Sequence, residues 1–169
     1  MSTERFLCIG NGGYYNRGCE AIVRGTMAIL RKAFGTGVQA DIGFYGGAEE
    51  IRQQMESESD RAVHAFHQKE RPPRWCADWF AMQCNQRLRT KFAARHRPLL
   101  APLASARAGL ILGGDTYSLD YGRPTQYLED DVFVMRRGLP LVLWGASVGP
   151  FRKDLEFEPL MMEHLRRLD

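Results

Sequence analysis

Two aspartates and a tyrosine near the middle of the chain are the residues whose types and spacing could do chemistry together. Asp115, Asp120 and Tyr121 lie in Gly-Gly-Asp-Thr-Tyr-Ser-Leu-Asp-Tyr-Gly-Arg-Pro at residues 113–124, the second glycine loop. An aspartate can orient or deprotonate a substrate hydroxyl, and a tyrosine ring suits the face of a sugar. The competing interpretation is that Asp115 caps a turn and Asp120 is solvated. We favour substrate contact, because a glycine turn needs neither carboxylate.

The first glycine loop, residues 10–20, carries hydrogen-bond donors ahead of a predicted helix. Asn11, Asn16 and Arg17 can donate, and the free N–H groups and dipole of a helix start favour an anion. The glycines miss the G-x-G-x-x-G spacing of dinucleotide-binding proteins, and the loop lacks the Gly-Lys-Ser/Thr of a P-loop. Both nucleotide motifs are therefore excluded. The alternative is a plain turn in which Asn16 or Glu20 serves the helix start.

The third glycine loop, residues 145–150, offers a ligand mainly backbone groups and one polar side chain, that of Ser147. It is interpreted either as a ligand contact or as a simple strand exit.

The glycine loops follow apolar runs that are predicted to be strands. Runs that are apolar throughout, rather than alternating, are expected where helices cover both faces of a parallel sheet. Ligands of such sheets bind beyond the carboxyl ends of the strands, where all three loops lie. The sequence therefore predicts one α/β domain over residues 1–169, a Rossmann-like parallel sheet with flanking helices. The predicted strands span residues 5–10, 38–45, 108–112 and 139–144. The predicted helices span residues 20–34, 48–58, 75–96, 125–137 and 154–169.

The composition is that of an ordinary globular protein and excludes a disordered or fibrous one. The chain is 44% hydrophobic and 25% charged, as globular proteins are, and its net charge is only +3. Most of the basic excess lies in residues 71–97, which we interpret as a solvated helix face, so no nucleic-acid partner is expected. Trp75, Cys76 and Trp79 in that stretch are predicted to form one packed helix face.

The cysteines and histidines show no metal-ligand spacing, so no metal site is expected. The four histidines, His64, His67, His96 and His164, are interpreted as surface or packed residues. The chain has no apolar run long enough for a transmembrane helix, and its first residues lack the charged-then-apolar pattern of a signal peptide. A cytoplasmic location is the expectation.

Together, the order and spacing of the three loops resemble the N-terminal half of the polysaccharide pyruvyl transferase family. Residues 16–22 (Asn-Arg-Gly-Cys-Glu-Ala-Ile) are similar to its Asn-x-Gly-Asp-Glu-Ala stretch. Residues 112–120 are similar to its Gly-Gly-Gly-Ser/Asp-Asn followed by an aspartate, and residues 143–150 to its Gly-x-Ser/Gly-x-Gly-Pro turn. Cys19 stands where the family usually has aspartate, and Asp115 where many members have a third glycine.

The resemblance implies a glycosyltransferase-B-like architecture of two Rossmann-like halves, of which this chain is the acceptor-side half. It implies an enzyme that moves the enolpyruvyl group of phosphoenolpyruvate onto two sugar hydroxyls as a cyclic ketal, with no cofactor beyond that donor substrate. The expected partners are phosphoenolpyruvate, a saccharide acceptor and the C-terminal half that holds the donor. A lipid-linked acceptor would add peripheral contact with a membrane. Without the C-terminal half, the chain is expected to be inactive.

The loops and the resemblance together define the predicted site. Asp120 is the predicted catalytic residue, which orients or deprotonates the acceptor hydroxyl. The predicted substrate contacts are Asn11, Asn16, Arg17, Glu20, Gly113, Gly114, Asp115, Tyr121 and Ser147.

Two other functions remain open on the same scaffold. One is a glycosyltransferase that uses a nucleotide sugar. The other is a non-catalytic sugar-binding or assembly module, which is considered because Cys19 stands where the family usually has aspartate.

Overall fold

The computed structural model describes residues 4–68, 74–88 and 96–168. Within these ranges strands and helices largely alternate along the chain. The strands are β1 (Arg5–Gly12), β2 (Gln39–Tyr45), β3 (Val63–His67), β4 (Ala108–Leu112) and β5 (Leu141–Trp144). The helices are α1 (Arg17–Phe34), α2 (Ala48–Ser57), α3 (Ala77–Leu88), α4 (Arg97–Ser105), α5 (Thr125–Met135) and α6 (Phe157–Leu165).

The five strands form one parallel sheet in the order β3-β2-β1-β4-β5. β1 and β4 are buried along most of their length, as strands covered by helices on both faces must be. The predicted α/β, Rossmann-like fold is confirmed.

Alternate residues of β1 supply two separate cores, one on each face of the sheet. Phe6 and Cys8 pack with buried residues of α1 and with Ile51 of α2. Leu7 and Ile9 pack on the other face with buried residues of α4, α5 and α6. Side chains of a strand point alternately to its two faces, so an unbroken apolar run is what both cores require. The helix predicted over residues 20–34 corresponds to α1, and its side chains Val23, Met27 and Leu30 are buried.

Three features differ from the predicted elements. β3 was not expected, because its sequence Val-His-Ala-Phe-His mixes polar and apolar residues, as an edge strand half exposed to solvent does. α4 was also missed, since Pro102 lies inside it, although Pro98 fits its first turn. The predicted helix over residues 75–96 agrees with α3, and residues 89–95 lie outside the described part of the chain. The packed face predicted for this helix is wrong at Trp75, which precedes α3 and is 75% exposed.

Within the described ranges, no helix combines the length and apolar character needed to cross a bilayer.

Candidate functional site

The strand order creates a crevice between β1 and β4. From β1 the chain runs outward to β2 and then β3, and it returns on the opposite side of β1 to form β4 and β5. The loops that follow β1 and β4 therefore diverge at the carboxyl edge of the sheet. This switch point is where open α/β sheets bind their ligands.

A cavity of about 590 Å³ lies at this switch point, within the size range of small-molecule sites. Residues of the first and second glycine loops and of the first turn of α5 line it. The predicted contacts that line it are Asn11, Asn16, Gly113, Gly114, Asp115 and Tyr121. Sequence reasoning missed other lining residues, including Cys19, Thr116, Ser118, Arg123, Gln126 and Tyr127.

Three predicted residues with charged side chains are not among the lining residues. Arg17 lies on the surface with its Nη1 2.6 Å from Glu20 Oε2, and this contact lowers the pKa of the Glu20 carboxyl. Asp120 is exposed, and its backbone N–H donates to Ser118 Oγ at 3.2 Å. That bond holds the loop backbone between Ser118 and Asp120, and Asp120 is not among the residues that line the cavity. Asp115 is the exposed aspartate that the same loop places at the cavity.

The third glycine loop supports the second through its backbone. The N–H of Ser147 donates to the Gly114 carbonyl at 2.7 Å, and the N–H of Gly149 donates to the Tyr117 carbonyl at 2.9 Å. Ser147 itself is exposed and is not among the lining residues. The loop therefore holds the cavity wall in place.

Gly10 allows β1 and β4 to approach closely beneath the cavity. The pairing of β1 with β2 shifts register between Cys8 and Asn11, and Gly10 adopts φ +88° within this irregularity. A Cβ at Gly10 would lie 2.8 Å from the Leu112 carbonyl oxygen, so a side chain has no room. Its N–H donates to Gln68 Oε1 at 3.3 Å.

The two asparagines of the first glycine loop shape its backbone. Asn16 is the N-cap of α1, and its Oδ1 accepts from the Gly18 N–H at 2.9 Å. Asn11 is buried, and its Nδ2 donates to the Cys19 carbonyl at 3.3 Å. Its Oδ1 and the Oγ1 of Thr116 are buried without a hydrogen-bond partner among the described residues. A ligand hydroxyl is a group that suits both atoms, since it can donate and accept.

The positive charge beside the cavity is already paired. Arg123 Nε lies 2.6 Å from Asp154 Oδ2, and Arg123 Nη2 lies 3.4 Å from Glu156 Oε2. Asp115 adds a carboxylate to the lining. The described lining is therefore richer in hydrogen-bond acceptors than in available cations, which favours a ligand that brings hydroxyl groups.

Behind the cavity, a buried carboxylate of α5 anchors the second glycine loop. Tyr117 donates its hydroxyl to Asp131 Oδ2, and His164 Nε2 of α6 lies 2.9 Å from the same oxygen. All three side chains are at least 95% buried. Burial, with the neighbouring Asp131 carboxylate, raises the pKa of the Tyr117 phenol, so its hydroxyl stays protonated and donates.

The preceding residue, Asp130, joins the end of β2 to the end of β3. Tyr45 donates its hydroxyl to Asp130 Oδ2, and Gln68 Nε2 donates to the same oxygen at 2.8 Å. Because Gln68 Oε1 accepts from the Gly10 N–H, the network reaches the first glycine loop. His96 Nδ1 approaches Asp130 Oδ1 to 3.0 Å, and its ring stacks on Phe133.

Sequence reasoning missed both buried aspartates of α5, which we call the aspartate pair. A signal was present for Asp131, because its helical neighbours at three and four positions in each direction are Tyr127, Leu128, Val134 and Met135. An acid surrounded by apolar residues on one helix face is expected to be buried. The interpretation of His164 as a packed residue is correct, because its side chain is buried.

The buried Asp131 predicts a pH dependence of stability. Burial raises the pKa of its carboxyl, while the hydrogen bonds to His164 and Tyr117 oppose this rise and Asp130 adds to it. A raised folded-state pKa stabilises the fold below the unfolded pKa of about 4, and this contribution is lost as pH rises through the folded pKa. The difference in free energy of unfolding between the native chain and Asp131→Asn should therefore shrink as pH rises. Urea unfolding of both chains from pH 4 to 8 measures it, and a difference that grows with pH would contradict the assignment.

Among the described residues, no group of three or more His, Cys, Asp or Glu side chains is placed to hold a metal ion. No protein-family model, no curated protein and no solved structure matches this chain.

Proposed function

We propose that this chain is the acceptor-side half of a polysaccharide pyruvyl transferase and that the switch-point cavity holds the sugar. The supporting observation is that the first and second glycine loops, which carry most of the family resemblance, line one cavity although about 100 residues separate them. The third loop, which completes the resemblance, holds the second loop by two backbone hydrogen bonds.

The chemistry of the lining supports a sugar ligand over a phosphate. The guanidinium of Arg123 is engaged by Asp154 and Glu156, and the N-cap Asn16 already satisfies a free N–H of α1. Phosphate binding relies on such cations and free N–H groups. Asp115 instead offers a carboxylate to a sugar hydroxyl. We therefore assign phosphoenolpyruvate to the second half of the proposed enzyme, and the acceptor to this one.

An exposed aromatic ring adds to this assignment. Tyr121 lines the cavity and is 88% exposed, so its ring is available to an incoming ligand. Aromatic rings with a polar end pack well against the apolar face of a sugar while their hydroxyl stays hydrated.

The proposed reaction balances with phosphoenolpyruvate and a sugar diol as its only substrates. Protonation of the methylene carbon of the donor makes an oxocarbenium-like centre at the adjacent carbon. One sugar hydroxyl attacks that carbon and loses its proton, and the carbon–oxygen bond to phosphate breaks. The second hydroxyl then closes the ring and loses its proton, so the products are the cyclic ketal and inorganic phosphate. A carboxylate near the acceptor receives a hydroxyl proton.

Substitutions of the two aspartates of the second glycine loop test saccharide binding and catalysis separately. Asp115→Asn is expected to weaken saccharide binding about tenfold or more, because the sugar hydroxyl would then donate to a neutral amide instead of a charged carboxylate. Asp120→Asn is expected to leave binding unchanged and to lower turnover of the full-length enzyme by roughly 10²–10⁴-fold if Asp120 is the base. Calorimetric titration of this chain with acceptor saccharides measures the first effect, and phosphate release from phosphoenolpyruvate measures the second. Native binding and turnover in both variants would remove the second glycine loop from the mechanism.

Cys19 provides a direct reporter of cavity occupancy. Its side chain lines the cavity and is partly exposed, whereas Cys8 is buried. A saccharide bound in the cavity is expected to slow alkylation of Cys19 and to leave Cys76 and Cys84 unaffected. Mass spectrometry of the labelled peptides distinguishes this result from general protection.

A non-catalytic sugar-binding module is the second candidate, and two observations favour it. Asp120 lies outside the cavity lining, and Cys19 replaces the aspartate that is usual in the family. Saccharide binding without ketal formation, when phosphoenolpyruvate is supplied to the full-length protein, would support this function. Turnover with nucleotide sugars instead would identify a glycosyltransferase.

A further inference from the structure

A cluster of three aromatic rings, two of them exposed, lies at the start of α3, and none of the three lines the cavity. Trp75 and Trp79 have ring centroids 5.2 Å apart, and the Phe80 ring lies 6.0 Å from Trp75 and 5.0 Å from Trp79. Trp75 is 75% exposed and Phe80 is 49% exposed. Large aromatic side chains grouped at the surface mark an interaction site more often than an isolated exposed residue does.

The backbone of Trp75 adopts a conformation that packing does not explain. Its φ of +71° is in the left-handed region, where no other described non-glycine residue is found. For a bulky residue this backbone conformation is strained. Because the side chain is mostly in solvent, the fold offsets little of that strain by burying it. A surface that binds a partner through the indole ring accounts for both observations.

The sequence around the cluster is strongly basic. Residues 71–97 contain seven Lys or Arg residues and one acidic residue, although the whole chain has a net charge of only +3. Within this stretch Arg74 is exposed and directly precedes Trp75. A partner that complements this part of the chain is therefore negatively charged and accepts aromatic rings.

We propose that the aromatic cluster docks on an anionic lipid surface. Indole rings with one apolar and one hydrated edge settle at the headgroup level of bilayers, and nearby Lys and Arg residues add attraction to acidic lipids. A single-stranded nucleic acid shares the negative charge, but it stacks its bases on ring faces that are separately presented. The three rings here pack against one another, which suits shallow insertion as a unit. This inference does not depend on the proposed function.

Sedimentation with lipid vesicles tests the proposal. The chain is expected to bind vesicles that contain phosphatidylglycerol, to bind pure phosphatidylcholine vesicles weakly, and to lose affinity as salt rises. The double variant Trp75→Ala and Phe80→Ala is expected to bind about tenfold or more weakly. Arg74→Gln is expected to bind about fivefold more weakly. Leu155→Ala is the matched control, because Leu155 is 76% exposed but lies far along the chain, and it should bind as the native chain does.

Tryptophan fluorescence identifies which residues enter the lipid. Anionic vesicles should shift the emission of the native chain to shorter wavelength. The shift should be largely lost in the double variant Trp75→Ala and Trp79→Ala, since the remaining Trp144 is partly buried and donates to Thr26 Oγ1. Equal vesicle binding by the native chain and the double variant Trp75→Ala and Phe80→Ala would overturn the proposal. So would the absence of binding to anionic vesicles together with tight binding to a single-stranded oligonucleotide.

Discussion

Replacing Asp131 with alanine is expected to lower the free energy of unfolding by about 3 kcal/mol or more. The change leaves the Tyr117 hydroxyl and the His164 ring without their partner in a region that excludes water. An unsatisfied buried polar group costs about 1–3 kcal/mol, and the substitution leaves two such groups. Because Tyr117 anchors the second glycine loop, saccharide binding in the proposed site should fall as well.

Urea unfolding at pH 6 measures this effect. Asp131→Asn should lose less stability than Asp131→Ala, since the amide oxygen still accepts one hydrogen bond. Glu163→Ala on the surface of α6 is the control, and its free energy of unfolding should stay within about 0.5 kcal/mol of the native value. If Asp131→Ala were as stable as Glu163→Ala, the buried network around Asp131 would have no role in holding the loops.

Gly10→Ala is the second substitution with a large expected effect, a loss of about 2 kcal/mol or more in the free energy of unfolding. Two causes add here: alanine is strained at φ +88°, and its Cβ would lie 2.8 Å from the Leu112 carbonyl oxygen. The contact is with backbone, so relief requires β1 and β4 to move apart. Since these strands carry the walls of the cavity, the proposed saccharide affinity should fall too.

Gly25→Ala provides a control with the opposite expected sign. Gly25 lies exposed within α1, and nothing is within 4 Å of the position of its Cβ. Alanine favours a helix interior over glycine, so the variant should gain about 0.5–1 kcal/mol. Thermal or urea unfolding of both variants checks the pair, and a stable Gly10→Ala would show that the bend of β1 does not need glycine.

The second glycine loop shows how far the sequence could predict the site. Asp115 and Tyr121 follow a buried strand, and the structure places both at the cavity, as position after a parallel strand suggests. Asp120 was predicted with them, but it is exposed and is not among the lining residues. The path of a loop depends on which of its side chains is anchored. Here the anchor is Tyr117, whose partner Asp131 is contributed by α5.

By itself, the sequence determined the class of fold and the positions of the glycine loops. Its apolar runs can only be buried by helices on both faces, and its glycines end those runs, so both features depend on local composition. The tertiary structure alone decided which loops meet and which partners the buried carboxylates have. β1 and β4 become neighbours only when the sheet assembles. Asp130 and Asp131 of α5 then meet their hydrogen-bond partners, which are Tyr45, Gln68 and Tyr117. Such contacts join residues far apart in the chain, so no local pattern specifies them.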